Sequence, residues 1–261
     1  MIKSIFFDID GTLISFKTHK MPDSTKKALN ILREKGIKLF LATGRSPFAL
    51  PVIKHLLDFE FDGYVMLNGQ YCIVNDEVIH DNPLPAEAFN HILPYMEKNK
   101  IACEFVELDY IYANLINDRV LELRNFLGNT VTAYPFEDPA RTLSNKTYQL
   151  CTYIKNHEEK EYFENMPGCR GVRWNPLFVD VIPENGGKGV GIEKMLTHLG
   201  LSKDEAMAFG DGGNDIEMLQ YVKYGVAMGN AGELVKKAAA YVTDDVDNDG
   251  IYSALVHYNV I

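Results

Sequence analysis

The first 83 residues alternate between short apolar runs and segments with the periodicity of an amphipathic helix. Apolar runs at residues 2–7, 37–43 and 64–67 predict three buried strands. Residues 25–32 repeat buried-type positions at i, i+3, i+4 and i+7, and Ser46-Pro47 predicts the opening of a second helix. Such alternation indicates a parallel sheet that is covered by helices.

The same alternation returns at the end of the chain. Strands are predicted at residues 206–209 and 225–228, and helices at about 189–198 and 214–222. Both flanks therefore predict one doubly wound, mostly parallel, Rossmann-like sheet of the α/β class.

The middle of the chain differs in composition from both flanks. Only three of the 20 glycines lie between residues 84 and 183, whereas 14 of the 29 aromatic residues lie there. Strands and helices of an α+β domain with a mostly antiparallel sheet are predicted in it at residues 85–98, 102–107, 110–114, 118–127, 147–154 and 156–166. We therefore predict a discontinuous core of residues 1–83 and 184–261, interrupted by an inserted α+β cap domain at residues 84–183.

The composition and net charge of the chain indicate which kinds of binding partner to expect. The chain is 46% hydrophobic and 24% charged, as in ordinary globular proteins, and its net charge of −10 disfavours nucleic acid and anionic membrane surfaces. The four cysteines form no C-x-x-C pair, and no apolar window reaches the ~20 residues of a membrane span. The apolar N-terminal run is too short for a signal peptide. We predict a cytoplasmic protein, a monomer or small homo-oligomer, with no nucleic-acid or membrane partner.

Four polar, glycine-containing sequences stand where ligands bind in open parallel sheets, beyond the carboxyl ends of strands or at the start of a helix. They are Asp8-Ile9-Asp10-Gly11-Thr12, Thr43-Gly44-Arg45, Asn185-Gly186-Gly187-Lys188-Gly189 and Gly210-Asp211-Gly212-Gly213-Asn214-Asp215. Taken singly, each is more typical of a turn or a helix cap than of a functional site. In the predicted sheet, however, four acidic residues share one edge: Asp8, Asp10, Asp211 and Asp215.

Clustered carboxylates indicate a bound cation. Two like charges about 4 Å apart repel by roughly 4 kcal/mol at an effective dielectric constant near 20, so such a cluster needs a cation or altered protonation. Oxygen ligands of this kind suit Mg²⁺, which binds one or two carboxylates together with water and substrate phosphate.

In this order, DIDGT, ATGR, a single lysine and GDGGND resemble the four motifs of the haloacid dehalogenase superfamily of phosphotransferases. The insertion between the second and third motifs resembles the type II α+β cap of the Cof-type phosphatases, close to bacterial sugar-phosphate phosphatases. The resemblance implies a Mg²⁺-dependent phosphatase that hydrolyses small phosphorylated metabolites, with sugar phosphates such as hexose phosphates as the expected substrates.

The resemblance also implies roles for individual residues. Asp8 would be the nucleophile that forms an aspartyl phosphate, and Asp10 would be the general acid and base. The implied ligands of Mg²⁺ are Asp8, the main-chain carbonyl of Asp10, Asp211 and Asp215. The residues implied in binding phosphate or substrate are Ile9, Thr43, Gly44, Arg45, Lys188 and Asn214.

Several of these residues have a second interpretation. Without the other motifs, Lys188 would be interpreted as a surface lysine. Arg45 either reaches a substrate phosphate or pairs with an acid of the site. Thr12 resembles the motif threonine or only braces its loop. Asn68-Gly69, between two apolar runs, predicts a type I′ hairpin turn.

Substrate specificity would then come from the cap. Its candidates for contact with an organic group are Tyr110, Tyr112, Arg173, Trp174 and Phe178, since rings offer apolar area at small entropic cost. For any single ring, packing of the cap sheet against its helices is the interpretation that we favour.

Two other functions compete with a phosphatase. A sugar phosphomutase on the same fold would also form an aspartyl phosphate, but it would return the phosphoryl group to the substrate. A receiver-type signalling module, from a different functional class, also places acids and a lysine at strand ends. The inserted domain and the position of Asp10 argue against a receiver.

Overall fold

The computed structural model describes residues 1–131 and 134–261, which form two units. The first unit consists of residues 1–44, 53–81 and 187–261, and the second of residues 45–52 and 82–186. The functional division at residues 84 and 183 stays a prediction.

The strands and helices of the two units are numbered together, in the order in which they occur along the chain. In chain order, the strands are β1 (Ser4–Phe7), β2 (Lys38–Ala42), β3 (Gly63–Met66), β4 (Tyr71–Val74), β5 (Glu77–Asp81), β6 (Cys103–Val106), β7 (Ile111–Ala113), β8 (Gln149–Thr152), β9 (Cys169–Val172), β10 (Val179–Pro183), β11 (Ala206–Gly210), β12 (Tyr224–Ala227) and β13 (Tyr241–Val242). The helices are α1 (Asp23–Glu34), α2 (Pro51–Leu57), α3 (Ala86–Asn99), α4 (Asp118–Leu127), α5 (Glu159–Glu164), α6 (Lys188–Leu199), α7 (Ile216–Tyr221), α8 (Glu233–Ala238) and α9 (Gly250–His257).

The first unit is built on an eight-stranded sheet in the order β13-β12-β11-β1-β2-β3-β4-β5. The strands from β13 to β3 pair in parallel, and β4 and β5 extend the sheet as an antiparallel hairpin. The chain lays β2 and β3 on one side of β1 and later returns to place β11 on the other side. The order of connection therefore reverses between β1 and β11, where open α/β sheets bind their ligands.

The core of the first unit lies on both faces of this sheet. Every residue of β1 is buried, because helices cover a parallel sheet on both sides. Phe6 stacks on Phe40 of the neighbouring strand with ring centroids 5.0 Å apart. Helix α1 packs on α9, and α6 packs on α7. The mostly parallel α/β sheet that the hydrophobic pattern predicts is confirmed. Within the described residues, every helix is too short or too polar to cross a membrane.

The second unit contains an antiparallel five-stranded sheet in the order β7-β6-β8-β10-β9. Its core lies on one face, where Phe105, Leu150 and Val181 pack with buried residues of α3. Tyr112 belongs to this core, with its ring stacked 4.9 Å from that of Phe105.

The packing interpretation is thus confirmed for Tyr112, and it also holds for Phe178, which is buried and contacts Trp174 edge to face. Arg173 is held by its own unit as well. Its guanidinium pairs with Glu159 at 2.7 Å and donates to the carbonyl oxygen of Phe178 at 2.7 Å.

Two local predictions are wrong. Helix α2 begins at Pro51 rather than at Ser46-Pro47, because residues 47–50 form a separate turn in which the N–H groups of Ala49 and Leu50 both donate to the carbonyl oxygen of Ser46. The hairpin around Asn68 exists, but its last pair is Met66 with Tyr71. Four residues therefore separate the strands, and the connection is not the predicted two-residue type I′ turn.

Candidate active site

The topology of the sheet brings two acidic loops together. Strands β1 and β11 are parallel neighbours in which Phe7 pairs with Phe209, so the residues that follow them leave the sheet side by side. Asp8 follows β1 directly, and Asp211 follows β11. Carboxylate oxygens of Asp8, Asp211 and Asp215 lie within 4.8 Å of one another. The predicted proximity of these acids is therefore a feature of the structure.

Lys188 is the first residue of α6 and is buried within the acidic cluster. Its Nζ atom lies 2.6 Å from Oδ1 of Asp8 and 2.6 Å from Oδ1 of Asp215. Burial by itself lowers the pKa of Lys188, but the two carboxylates outweigh burial and raise it. Lys188 is therefore a charged residue inside the unit and not a surface lysine.

Asp215 is fully buried and holds the loop after β11 in shape. Its Oδ2 atom accepts hydrogen bonds from the backbone N–H groups of Asp211 at 3.0 Å and Gly212 at 2.8 Å. Its other oxygen accepts from Lys188. Because three donors already satisfy this carboxylate, Asp215 fixes both the lysine and the loop that carries Asp211.

Lys188 does not fully offset the cost of ionising Asp8 and Asp211 side by side. Burial and the neighbouring charge of Asp215 raise the pKa of Asp8 to about 7, although Lys188 acts in the opposite direction. Burial and the charge of Asp8 also raise the pKa of Asp211 well above its usual range. Carboxylate oxygens that lie this close together repel one another when ionised, and such a cluster of oxygen ligands fits a hard divalent cation such as Mg²⁺.

The loop after β1 is built around Asp211. Gly11 has φ +93°, and a Cβ atom at this position would collide with the carboxylate of Asp211. The hydroxyl of Thr12 donates to Oδ1 of Asp211 at 3.2 Å, so this threonine braces the loop. The carbonyl oxygen of Ile9 accepts from the N–H of Ile14, and Asp10 pairs with the same residue in an isolated bridge.

Two of the predicted phosphate-binding sequences meet at Asn68. The backbone carbonyl of Thr43 accepts from the N–H of Asn68 at 3.0 Å, and the side chain of Asn214 donates to Oδ1 of Asn68 at 2.9 Å. Gly44 lies against the same side chain. Arg45 belongs instead to the second unit, where its guanidinium donates to the carbonyl oxygen of Thr130 at 2.7 Å.

Sequence reasoning missed one polar residue at this site. The side chain of Asn230 donates to the carboxylate of Asp211 and to the carbonyl of Gly11. A signal for it exists, because Asn230 follows β12, which ends at the same edge of the sheet as β1 and β11. Inspecting the end of every predicted strand would have found it.

The sequence of the chain matches that of a known protein family. A family model described as haloacid dehalogenase-like hydrolase matches residues 5–255. The YkrA protein of Bacillus subtilis (strain 168), whose assignment as a phosphatase is provisional, is 38% identical over 255 residues that cover 97% of this chain and 96% of YkrA.

Solved structures agree with this match. The HAD subclass IIB sugar phosphatase BT4131 is 40% identical, with a TM-score of 0.93 over 99% of this chain and 100% of that chain. BT1666 from Bacteroides thetaiotaomicron, a phosphatase of the same superfamily, is 35% identical with a TM-score of 0.90 over 100% of this chain and 96% of that one. The predicted fold, a mostly parallel α/β core with an inserted cap domain, is confirmed. The chain belongs to the haloacid dehalogenase-like hydrolase family.

Proposed function

We propose that this phosphatase of the haloacid dehalogenase-like family hydrolyses small sugar phosphates, with Asp8 as its nucleophile and Mg²⁺ as its cofactor. The observation that carries the proposal is the buried carboxylate of Asp8, held 2.6 Å from Lys188 beside Asp211 at the switch point of the sheet. A similar chain, BT4131, is a sugar phosphatase, which supports the substrate class.

Two steps of chemistry follow from the proposed roles. In the first, an oxygen of Asp8 attacks phosphorus, the bond from phosphorus to the ester oxygen breaks, and Asp10 donates a proton to that leaving oxygen. In the second, Asp10 takes a proton from a water that attacks the aspartyl phosphate, and the bond between phosphorus and Asp8 breaks. The covalent route replaces one difficult hydrolysis by two easier steps.

Lys188 favours the ionised, reactive form of the nucleophile. Burial and the charge of Asp215 raise the pKa of Asp8 to about 7 even with Lys188 present, and without this positive charge the pKa would be higher still. The ammonium group of Lys188 opposes this effect from 2.6 Å. Because Asp215 holds the same ammonium, the lysine is oriented before substrate arrives.

The proposed cation site uses the acids at the carboxyl ends of β1 and β11. Its ligands would be Asp8, the main-chain carbonyl of Asp10 and Asp211, with Asp215 bound directly or holding the other groups in place. When bound, Mg²⁺ offsets the repulsion between the carboxylates and an anionic phosphate and stabilises the charge on the transferring group.

The remaining predicted residues would bind the substrate. We propose that Thr43 and the backbone amides of Ile9 and Gly44 bind phosphate oxygens, with Asn214 and Arg45 in supporting positions. Residues 84–183 would act as the cap that selects the organic part of the substrate, since the phosphate group is common to every substrate.

The test is the release of inorganic phosphate from a panel of hexose, pentose and polyol phosphates and nucleotides, with and without Mg²⁺. We expect sugar phosphates to give the highest kcat/KM, and Asp8→Asn to abolish turnover. Asp58→Asn is the matched control, because it makes the same change at an exposed acid of the first unit. Asp10→Ala should lose turnover but keep its affinity for Mg²⁺, since its ligand atom is a main-chain carbonyl.

Three results would contradict the proposal. Unchanged hydrolysis by Asp8→Asn would remove Asp8 as nucleophile. Full activity in the presence of a strong chelator would remove the cation. An isomerised sugar phosphate without free phosphate would identify a phosphomutase instead.

A further inference from the structure

Asn230 connects three segments of the first unit through its side-chain amide. The Nδ2 group donates to the carbonyl oxygen of Gly11 at 2.9 Å and to Oδ2 of Asp211 at 3.2 Å. The Oδ1 atom accepts from the backbone N–H of Val246 at 3.0 Å. Because a carbonyl can only accept and a backbone N–H can only donate, these partners fix the orientation of the amide.

The carboxylate of Asp211 is held on both of its oxygens. Thr12 donates to Oδ1 at 3.2 Å, and Asn230 donates to Oδ2. Two donors on opposite oxygens restrict rotation of the carboxylate about its terminal bond. They also stabilise its ionised form, which a cation requires.

The backbone that carries Asn230 is itself anchored. The N–H of Gly229 donates to the carbonyl oxygen of Asp244 at 2.9 Å, and a Cβ atom at Gly229 would lie 2.5 Å from the backbone nitrogen of Asp245. Only a glycine therefore lets the turn after β12 approach the segment after β13 this closely. The close approach places the amide of Asn230 within reach of both loops.

We propose that Asn230 is a positioning residue that holds the carboxylate of Asp211 and the loop at Gly11 in the arrangement that binds the divalent cation. The inference rests on the proposed function, in which Asp211 is a ligand of Mg²⁺. Asn230 acts on the reaction through Asp211, as residues that orient metal ligands commonly do.

Two variants test this role from different sides. Asn230→Ala removes all three hydrogen bonds, and because the residue is exposed its truncation leaves no cavity in the core. Of these three hydrogen bonds, Val246→Pro removes only the one donated to Oδ1 of Asn230. A proline is compatible with this position, since Asp245 before it has φ −60° and ψ 152° and Val246 opens a short 3-10 helix.

Each variant has a matched control. Asn248→Ala makes the same truncation at another exposed asparagine of the first unit. Val246→Ala also removes the buried valine side chain but keeps the backbone N–H. Comparison of the two Val246 variants therefore isolates the hydrogen bond to Asn230.

The measurement is calorimetric titration of the metal-free full chain with Mg²⁺, in the absence of substrate. We expect Asn230→Ala to weaken Mg²⁺ binding about tenfold, as is usual for groups that orient metal ligands. Val246→Pro should weaken it by about threefold relative to Val246→Ala, the size of one modest hydrogen bond. With excess Mg²⁺, kcat of Asn230→Ala should recover to near the wild-type value, which a general loss of structure would not allow.

Contrary results separate this inference from the function on which it rests. If wild type binds Mg²⁺ and Asn230→Ala binds it within twofold of wild type, the positioning role is wrong and the proposed function stands. If Asn230→Ala does not fold, equal affinities of the two Val246 variants overturn the role. If wild type hydrolyses phosphate esters but binds no Mg²⁺, the proposed cofactor itself is wrong, and the inference falls with it.

Discussion

At the scale of single residues, the main feature of the site is the buried ammonium group of Lys188, which lies among buried carboxylates. Lys188 contacts two carboxylates at 2.6 Å each, and its side chain is inaccessible to water. An ion pair in such surroundings pays a desolvation cost for each charge, so removing one partner costs far more than the pair contributes. The stability of the first unit should therefore depend strongly on Lys188.

Replacing Lys188 by methionine should lower the free energy of unfolding by about 3 kcal/mol at pH 8. The deficit should be smaller at pH 5. Asp8 already has a raised pKa, which rises further when the ammonium is lost, and a carboxyl group whose folded pKa is raised destabilises the fold as pH climbs through that pKa. Urea unfolding of the metal-free protein at both pH values measures this.

The matched control for this variant is Lys194→Met, which makes the same change at an exposed position of α6. It should leave the stability nearly unchanged at either pH. An equal deficit for Lys188→Met at pH 5 and pH 8 would show that loss of packing, and not loss of charge, causes the destabilisation.

The raised pKa values of Asp8 and Asp211 predict that binding of a cation releases protons. At pH 6 the metal-free site holds a proton near Asp8, whose pKa is about 7, and a cation must displace it. The proton on Asp8 alone should therefore make the Mg²⁺ affinity rise about tenfold between pH 6 and pH 8, and the raised pKa of Asp211 acts in the same direction. Calorimetry in two buffers of different ionisation enthalpy counts the released protons.

The control for this titration is the exposed-acid variant Asp58→Asn, which should show the same pH dependence as wild type. An affinity that stays constant from pH 6 to pH 8 would mean that Asp8 is ionised throughout that range. Lys188 would then offset the burial of Asp8 more completely than its geometry indicates.

At the scale of elements, hydrophobic periodicity predicted helices α1 to α7 and the central strands, but not where each of them begins. Residues 2–7 form one apolar run, yet β1 covers Ser4–Phe7, because pairing with β2 and β11 sets its limits. Helix α2 begins at Pro51 because a turn over residues 47–50 precedes it, and a proline near the start of each segment does not tell the two apart. Strands β5, β9, β10 and β13 were not predicted. For β9 the reason is local, since Cys169–Val172 carries a glycine and an arginine and lacks a clean alternation.

Some contacts in the candidate site follow from the order of the strands, and others depend on how the loops fold. The meeting of Asp8 with Asp211 follows from the rule that parallel strands end at one edge, and each acid stands directly behind its strand. The pairing of Asp215 with Lys188 and the contact of Asn214 with Asn68 depend on how loops fold over that edge. Strand order alone does not encode such contacts, so no spacing in the sequence predicts them.

At the scale of the whole molecule, each unit has a hydrophobic core of its own. The first unit buries Phe6, Phe40 and Ile192 in one cluster, and the second buries Phe105 and Val181 in another. All the acids of the proposed cation site belong to the first unit. A ligand stabilises whatever part of a protein must be folded in order to bind it. Mg²⁺ should therefore protect the two units unequally.

Hydrogen exchange should reveal this inequality. Mg²⁺ at 100 times its Kd adds about 2.7 kcal/mol to the structure that binds it, so exchange should slow at residues 206–216 and not in β8 or β10. Val181→Ala, at a fully buried position of β10, should destabilise the second unit by about 2 kcal/mol and speed exchange there, while Mg²⁺ affinity stays unchanged. Equal protection of both units by Mg²⁺ would instead mean that they unfold as one cooperative body, and Val181→Ala would then weaken protection throughout the chain.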